Sequence, residues 1–122
     1  MHELSVCQAL VAQVETLARE RSARAVLRIE VAIGPLSGVE PQLLAQAFAV
    51  ASAGTLAEAA ELVLHEPAIQ VQCDRCGQVT EAGPNRLVCA SCGDWRTRLL
   101  SGDELLLERV ALDCPDPPDT LH

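Results

Sequence analysis

The stretch Cys73-Asp-Arg-Cys76-Gly77 returns as Cys89-Ala-Ser-Cys92-Gly93, with twelve residues between Cys76 and Cys89. Two residues between paired cysteines let one tight turn aim both sulfurs at the same ion. Four thiolates make a complete tetrahedral set for Zn²⁺, which has no geometric preference of its own. Gly77 and Gly93 follow the second cysteine of each pair, where a residue free to take positive φ lets backbone N–H groups turn toward the sulfurs. Two disulfides or four unrelated thiols would not call for this repeated detail. Cys73, Cys76, Cys89 and Cys92 are therefore read as ligands of a closed, structural zinc site with no open position for catalysis.

Outward from the quartet, the pattern becomes that of an ordinary small domain. From residue 4 to 21, Cys7, Leu10, Val11, Val14, Leu17 and Ala18 recur at i, i+3, i+4, i+7, an amphipathic helix. Residues 25–33 switch to period two, with Leu27, Ile29, Val31 and Ile33 on one face and Arg28 and Glu30 on the other. Gly34-Pro35-Leu36-Ser37-Gly38 breaks that strand. Pro41 then suits the first turn of a second helix, whose Leu43, Leu44, Ala47, Phe48 and Ala51 face a core before Gly54 ends it. Residues 62–64 and 69–71 read as strands on either side of Pro67, and 95–100 as the last arm of the cysteine hairpin. Ser101-Gly102-Asp103 is a turn and 105–112 a final strand. The expected architecture is α/β (α+β): a small three-stranded sheet with two helices and an inserted four-cysteine zinc ribbon. The strands before and after the ribbon are expected to belong to the helix-bearing part, which anchors both ends of the insertion. The domain boundaries read as 1–72 with 101–112, the zinc module 73–100, and a flexible Pro-rich tail 113–122.

Composition narrows the function. Hydrophobic residues make up 49% of the 122-residue chain but only Phe48 and Trp95 are aromatic, so the core is aliphatic and base-stacking platforms are missing. A net charge of −8 and a pI near 4.7 oppose phosphate backbones and anionic membrane surfaces. No basic leader and no stretch of membrane-spanning length is evident, so a cytoplasmic protein is expected, in which Cys7 and Cys114 are free thiols. No phosphate-binding glycine loop is present, and Thr16 and Ser22 have no histidine and acid arranged around them. A carrier or adaptor is expected, not an enzyme.

The chain opens Met1-His2-Glu3. A free α-amine, the His2 backbone nitrogen and the His2 imidazole can close fused chelate rings around one metal, with the Glu3 amide nitrogen as a fourth donor. A planar all-nitrogen set suits Ni²⁺ or Cu²⁺, as tetrahedral thiolates suit zinc. Bulky His2 favours retention of Met1, and the Glu3 carboxylate is placed to orient a ligand. On these residues alone simple solvation is the better explanation of a terminal histidine.

Met-His-Glu-Leu-Ser-Val-Cys-Gln, Gly34-Pro-Leu-Ser-Gly-Val-Glu-Pro41, Gly54-Thr-Leu-Ala-Glu58, the paired cysteines and Ser101-Gly-Asp-Glu-Leu105 follow in order over about residues 1–110. Together they resemble the HypA/HybF family of hydrogenase nickel-insertion accessory proteins. The resemblance implies a metallochaperone that binds Ni(II) at its N-terminus, through His2 and the Met1 amine with Glu3 adjacent, and holds Zn(II) on the four cysteines. It also implies work with a hydrogenase-maturation GTPase to load the [NiFe]-hydrogenase large-subunit precursor, and in some organisms a supply to urease maturation. Ala90 stands where relatives often carry proline, and the Pro-rich tail through Cys114 and His122 lies beyond the matched region.

Other residues have ordinary roles. Cys7 is expected in the helix core, His65 as a plain strand histidine, and Glu40 as the cap of the second helix. Two rival functions remain on the residues alone. A zinc-ribbon nucleic-acid adaptor needs a basic face that nine Lys+Arg against seventeen Asp+Glu do not supply, and a thiol redox switch needs a zinc that peroxide releases readily.

Overall fold

The computed structural model describes residues 2–115. Met1, expected to lend its amine, and residues 116–122 of the expected tail lie outside the described residues. The elements in order are α1 (Glu3–Glu20), β1 (Ala25–Ile33), α2 (Pro41–Ala51), β2 (Glu61–His65), β3 (Gln70–Cys73), β4 (Val79–Glu81), β5 (Thr97–Ser101) and β6 (Leu105–Asp113). They form two three-stranded sheets, ordered β2-β1-β6 and β4-β3-β5. The described residues fall into two compact units, 2–31 with 40–63 and 107–115, and 32–39 with 64–106.

In the first unit the stripe on α1 is buried as its period requires: Cys7, Leu10, Val11, Val14 and Ala18 all face inward. The helix ends where Ser22 takes φ 55°, Ser22 N–H bonding to the Arg19 carbonyl and Ala23 N–H to that of Ala18. These are the two bonds that satisfy the last carbonyls in a left-handed C-terminal cap. α2 starts with Pro41 in its first turn and buries Leu44 and Phe48, and the Cys7 thiol donates to the Leu44 carbonyl at 3.3 Å. Three expectations need correction here. Val26, not Leu27, opens the buried set of β1, because the Leu56 carbonyl captures the Val26 N–H at 2.9 Å; Leu27 stands 52% exposed and alternation starts at Ile29. The Glu40 side chain makes no cap bond to α2; its backbone N–H is instead taken by the Glu3 carboxylate at 3.0 Å. Asp113 is the last residue of β6, its carbonyl accepting the Arg24 N–H at 2.7 Å and its carboxylate pairing with the Arg24 guanidinium at 3.1 Å.

In the second unit β3 is the middle strand, antiparallel to both neighbours. Val71 faces Thr80 of β4 and Leu99 of β5, and Cys73 faces Thr97, with a register shift between Gln70 and Val71. Residues 69–71, expected in the helix-bearing sheet, thus lead into the ribbon's own sheet, because β3 runs without a break into the first ligand cysteine. Ile69, Val71, Cys73 and Cys89 are its buried centre. The Gly34 and Gly102 segments also meet here: Gly34 N–H bonds to the Glu104 carbonyl at 2.8 Å and Leu36 N–H to that of Gly102 at 2.7 Å. A Cβ on Gly34 would lie 2.2 Å from the Gly102 oxygen, so the backbones can approach this closely only without a side chain.

Candidate metal centre

Each cysteine pair closes one turn, and the two turns match bond for bond. Gly77 N–H bonds to the Cys73 carbonyl at 3.0 Å and Gly93 N–H to that of Cys89 at 2.8 Å, with φ of 76° and 79° at the two glycines. Behind them, Cys73 N–H donates to the Gln78 carbonyl and Cys89 N–H to that of Asp94, both at 2.9 Å. The turn aims backbone donors at sulfur. Cys73 Sγ accepts from the N–H of Arg75 at 3.3 Å and of Cys76 at 3.4 Å. Cys89 Sγ accepts from Ser91 and Cys92 at the same two distances.

The sulfurs form one cluster. Cys73 lies 3.6 Å from Cys92 and Cys76 3.6 Å from Cys89, and all four lie within 4.8 Å of one another. Zn–S bonds of about 2.3 Å place the sulfurs of a regular tetrahedron about 3.8 Å apart, inside that range. Cys73 and Cys89 are buried, Cys76 and Cys92 exposed. Among themselves the thiols split in acidity. The Cys76 N–H lowers Cys73, and the Cys92 N–H carries Cys89 down to about 6. Cys76 and Cys92 receive one N–H each, from Gln78 and Asp94, but desolvation and neighbouring sulfurs outweigh it; Cys92 rises, and Cys76 reaches about 11. Two thiols biased toward thiolate and two held as thiol are what an all-sulfur metal site must resolve by releasing protons when it loads. The donor set and its geometry suit a structural zinc.

A family model described as "Hydrogenase/urease nickel incorporation, metallochaperone, hypA" matches residues 1–112. The chain belongs to the HypA family. The hydrogenase maturation factor HypA of Nitrosospira multiformis is 45% identical over 112 residues, spanning 92% of this chain and 97% of that protein. Its counterpart in Aquifex aeolicus is 39% identical over 113 residues, 93% and 98% of the two chains. The solution structure of the Ni metallochaperone HypA from Helicobacter pylori superposes with a TM-score of 0.67 at 26% identity, covering 94% of this chain and all of that one. HypA proteins form a metallochaperone family for nickel incorporation, and this member pairs that family role with a four-sulfur site fit for zinc. Among the described residues no helix is long and apolar enough to cross a membrane.

The residues singled out in the sequence do not all gather at one site. The four cysteines converge. His2 sits at the N-cap of α1, exposed and without a side-chain cap bond, and Glu3, next to it, is buried with its carboxylate on the Glu40 N–H. Cys7 is fully buried, His65 ends β2 on the surface, and the exposed Cys114 thiol lies 3.7 Å from the Arg21 carbonyl; none of these joins the sulfur cluster. Sequence reasoning missed Asp94. Its Oδ1 accepts the Arg96 N–H at 2.8 Å and Nε at 3.1 Å, and its Oδ2 accepts Nη2 at 2.9 Å. Arg75, from the other knuckle, is 3.7 Å away. The Arg96 guanidinium holds the Asp94 carboxyl down to about 2, so one carboxylate pairs with Arg75 of the first cysteine turn and with Arg96 beyond the second. The signal was the asymmetry between Gly77-Gln78 and Gly93-Asp94, too small to read without the fold.

Proposed function

We propose that this chain binds Ni(II) at its N-terminus and delivers it into the [NiFe]-hydrogenase large-subunit precursor, while zinc on Cys73, Cys76, Cys89 and Cys92 keeps the ribbon folded. Nickel is cargo, and the chain is a carrier, not an enzyme. The ligands assigned to nickel are the Met1 α-amine, the His2 imidazole and backbone nitrogen, and the Glu3 amide. The carrier part is assigned to the helix-bearing unit and the structural zinc to the unit of 32–39 with 64–106, which holds β3 and the four cysteines. The partners assigned are a hydrogenase-maturation GTPase and the precursor itself, in the cytoplasm, with urease maturation factors as a further outlet and neither nucleic acid nor membrane involved.

The observation that carries this reading is the position of His2. It is exposed at the first turn of α1, and its imidazole is not engaged in capping. The first N–H groups of a helix have no intrahelical acceptor, so metal can replace the His2 and Glu3 amide protons without breaking a helical bond. The positive end of the helix opposes a cation, and two deprotonated amides supply the negative charge that offsets it.

One glycine added before Met1 tests the assignment. It keeps His2, Glu3 and every cysteine but moves the α-amine and changes the chelate ring sizes. Calorimetric titration should show nickel affinity falling sharply with zinc content unchanged. Binding to the native N-terminus should weaken as pH falls, because amine, imidazole and amides must lose protons before they ligate. Equal nickel affinity in the two proteins would place the site elsewhere.

A further inference from the structure

α2 is apolar on two sides and carries no charge: its eleven residues read PQLLAQAFAVA. Leu44 and Phe48 occupy the inner side. On the outer side Leu43, Gln46, Ala47 and Val50 recur at i, i+3, i+4, i+7, with Leu43 47% and Val50 68% exposed. Leu4 of α1, 46% exposed, extends the same surface, and together with Glu3 these residues line an open groove of about 420 Å³. A helix apolar all round is ordinarily covered on all sides, and a contiguous exposed apolar patch marks an interaction surface.

Charge decides what covers it. Residues 1–18 and 40–60 contain no lysine or arginine, while Glu3 lines the groove and Glu40 and Glu58 are exposed; Glu15 is set apart by its ion pair with Arg19 at 3.7 Å. A second copy would bring the same acidic surroundings to the contact, in a chain that already carries −8. We infer that the outer face of α2, with Leu4, is the docking surface for a different protein, one presenting apolar side chains flanked by lysine or arginine.

The inference rests on the carrier reading above, since it assigns the occupant as the protein with which the chain exchanges nickel. Glu3 and Leu4, which line the groove, directly follow His2 in the chain. A partner seated there lies beside the proposed nickel ligands, so the ion passes between proteins without entering bulk solvent. The acidic surroundings steer a basic partner during encounter and the apolar stripe holds it once docked.

Val50→Asp and Leu43→Asp change exposed positions that supply no ligand to either metal site. With full-length, zinc-loaded protein and purified hydrogenase-maturation GTPase as the probe, each should weaken the complex by at least about tenfold. Nickel affinity, zinc content and helical signal should stay as in wild type, and wild-type association should slow as salt rises. If both variants bind the GTPase as wild type does, the surface assignment is overturned. If wild type does not bind the GTPase, that partner reading fails by itself; the same variants against the [NiFe]-hydrogenase large-subunit precursor then decide the face, weakened binding upholding it and unchanged or absent binding overturning it. Self-association of wild type that Val50→Asp abolishes would assign the face to a second copy and overturn the inference.

Discussion

Glu3 shows how much one side chain can hold. An acidic residue in the first turn of a helix is favoured by the N-terminal partial charge, but this carboxylate also accepts the Glu40 N–H at the head of α2, so it fastens the starts of both helices. That hydrogen bond leads the causes that hold its carboxyl down to about 2 from an ordinary 4.5. A depressed folded pKa means stabilisation that is complete above the unfolded value and disappears as pH falls through the folded one. Glu3→Gln keeps an acceptor oxygen and removes the charge. Its thermal midpoint, followed by the helical signal, should lie below wild type at neutral pH, and the gap should close as pH falls from about 4.5 to about 2. A gap that stays constant across that range would mean the charge is not what stabilises. Cys7, one turn further on, is different: burial pushes its thiol up to about 11, so it is a neutral packing group and not a ready thiolate.

At the scale of elements, α1 carries its own test. Ser22 adopts a left-handed φ of 55° to close the helix, a conformation that costs a residue with a Cβ on the order of 1 kcal/mol. Ser22→Gly removes that strain at some cost in unfolded-chain entropy, and should raise the urea midpoint of the helical signal by up to about 1 kcal/mol equivalent. A lower midpoint would show that the Ser22 side chain contributes more than its strain costs. The same elements show which signals the sequence carries. α1 and the start of α2 were legible because a 3.6-residue stripe and Pro41 act within one element, and the cysteine turns because two residues and a glycine suffice to form them. Strand membership was not, since whether β3 joins one sheet or the other depends on partners at residues 79–81 and 97–101. The inward turn of Val26 likewise depends on Leu56, and the side chain that bonds to the head of α2 is that of Glu3, 37 positions away from Glu40. For His2 the residues alone favoured solvation over chelation, and the resemblance, now matched by a family model across residues 1–112, is what turned the reading toward nickel.

At the scale of the whole molecule, zinc divides the chain's stability in two. The first unit has an aliphatic core of its own on α1, α2 and β1, whereas the second buries little beyond Ala32, Ile33, Ile69, Val71 and two of the cysteines. Structural zinc contributes on the order of 10–16 kcal/mol in small zinc peptides, as much as many entire domains gain on folding, so the second unit should depend on its metal and the first should not. The thiol acidities set how that dependence varies with pH. Cys76, at about 11, and Cys92, raised above 9.0, are protonated at neutral pH, so loading must displace at least these two protons. At least two protons per zinc make affinity fall by about a hundredfold or more for each pH unit lost, and more steeply still where the other two cysteines are also protonated in the metal-free chain. Competition with a chromophoric chelator from mildly alkaline to mildly acidic pH should trace that slope, with the helical signal preserved after the zinc has left. Cys89→Ala should reproduce the zinc-free state at neutral pH, losing the ribbon's dispersed amide resonances while keeping the helical ones. A pH-independent zinc affinity would exclude the proposed thiol ligands, and helices that melt together with the ribbon would show that the two units fold as one.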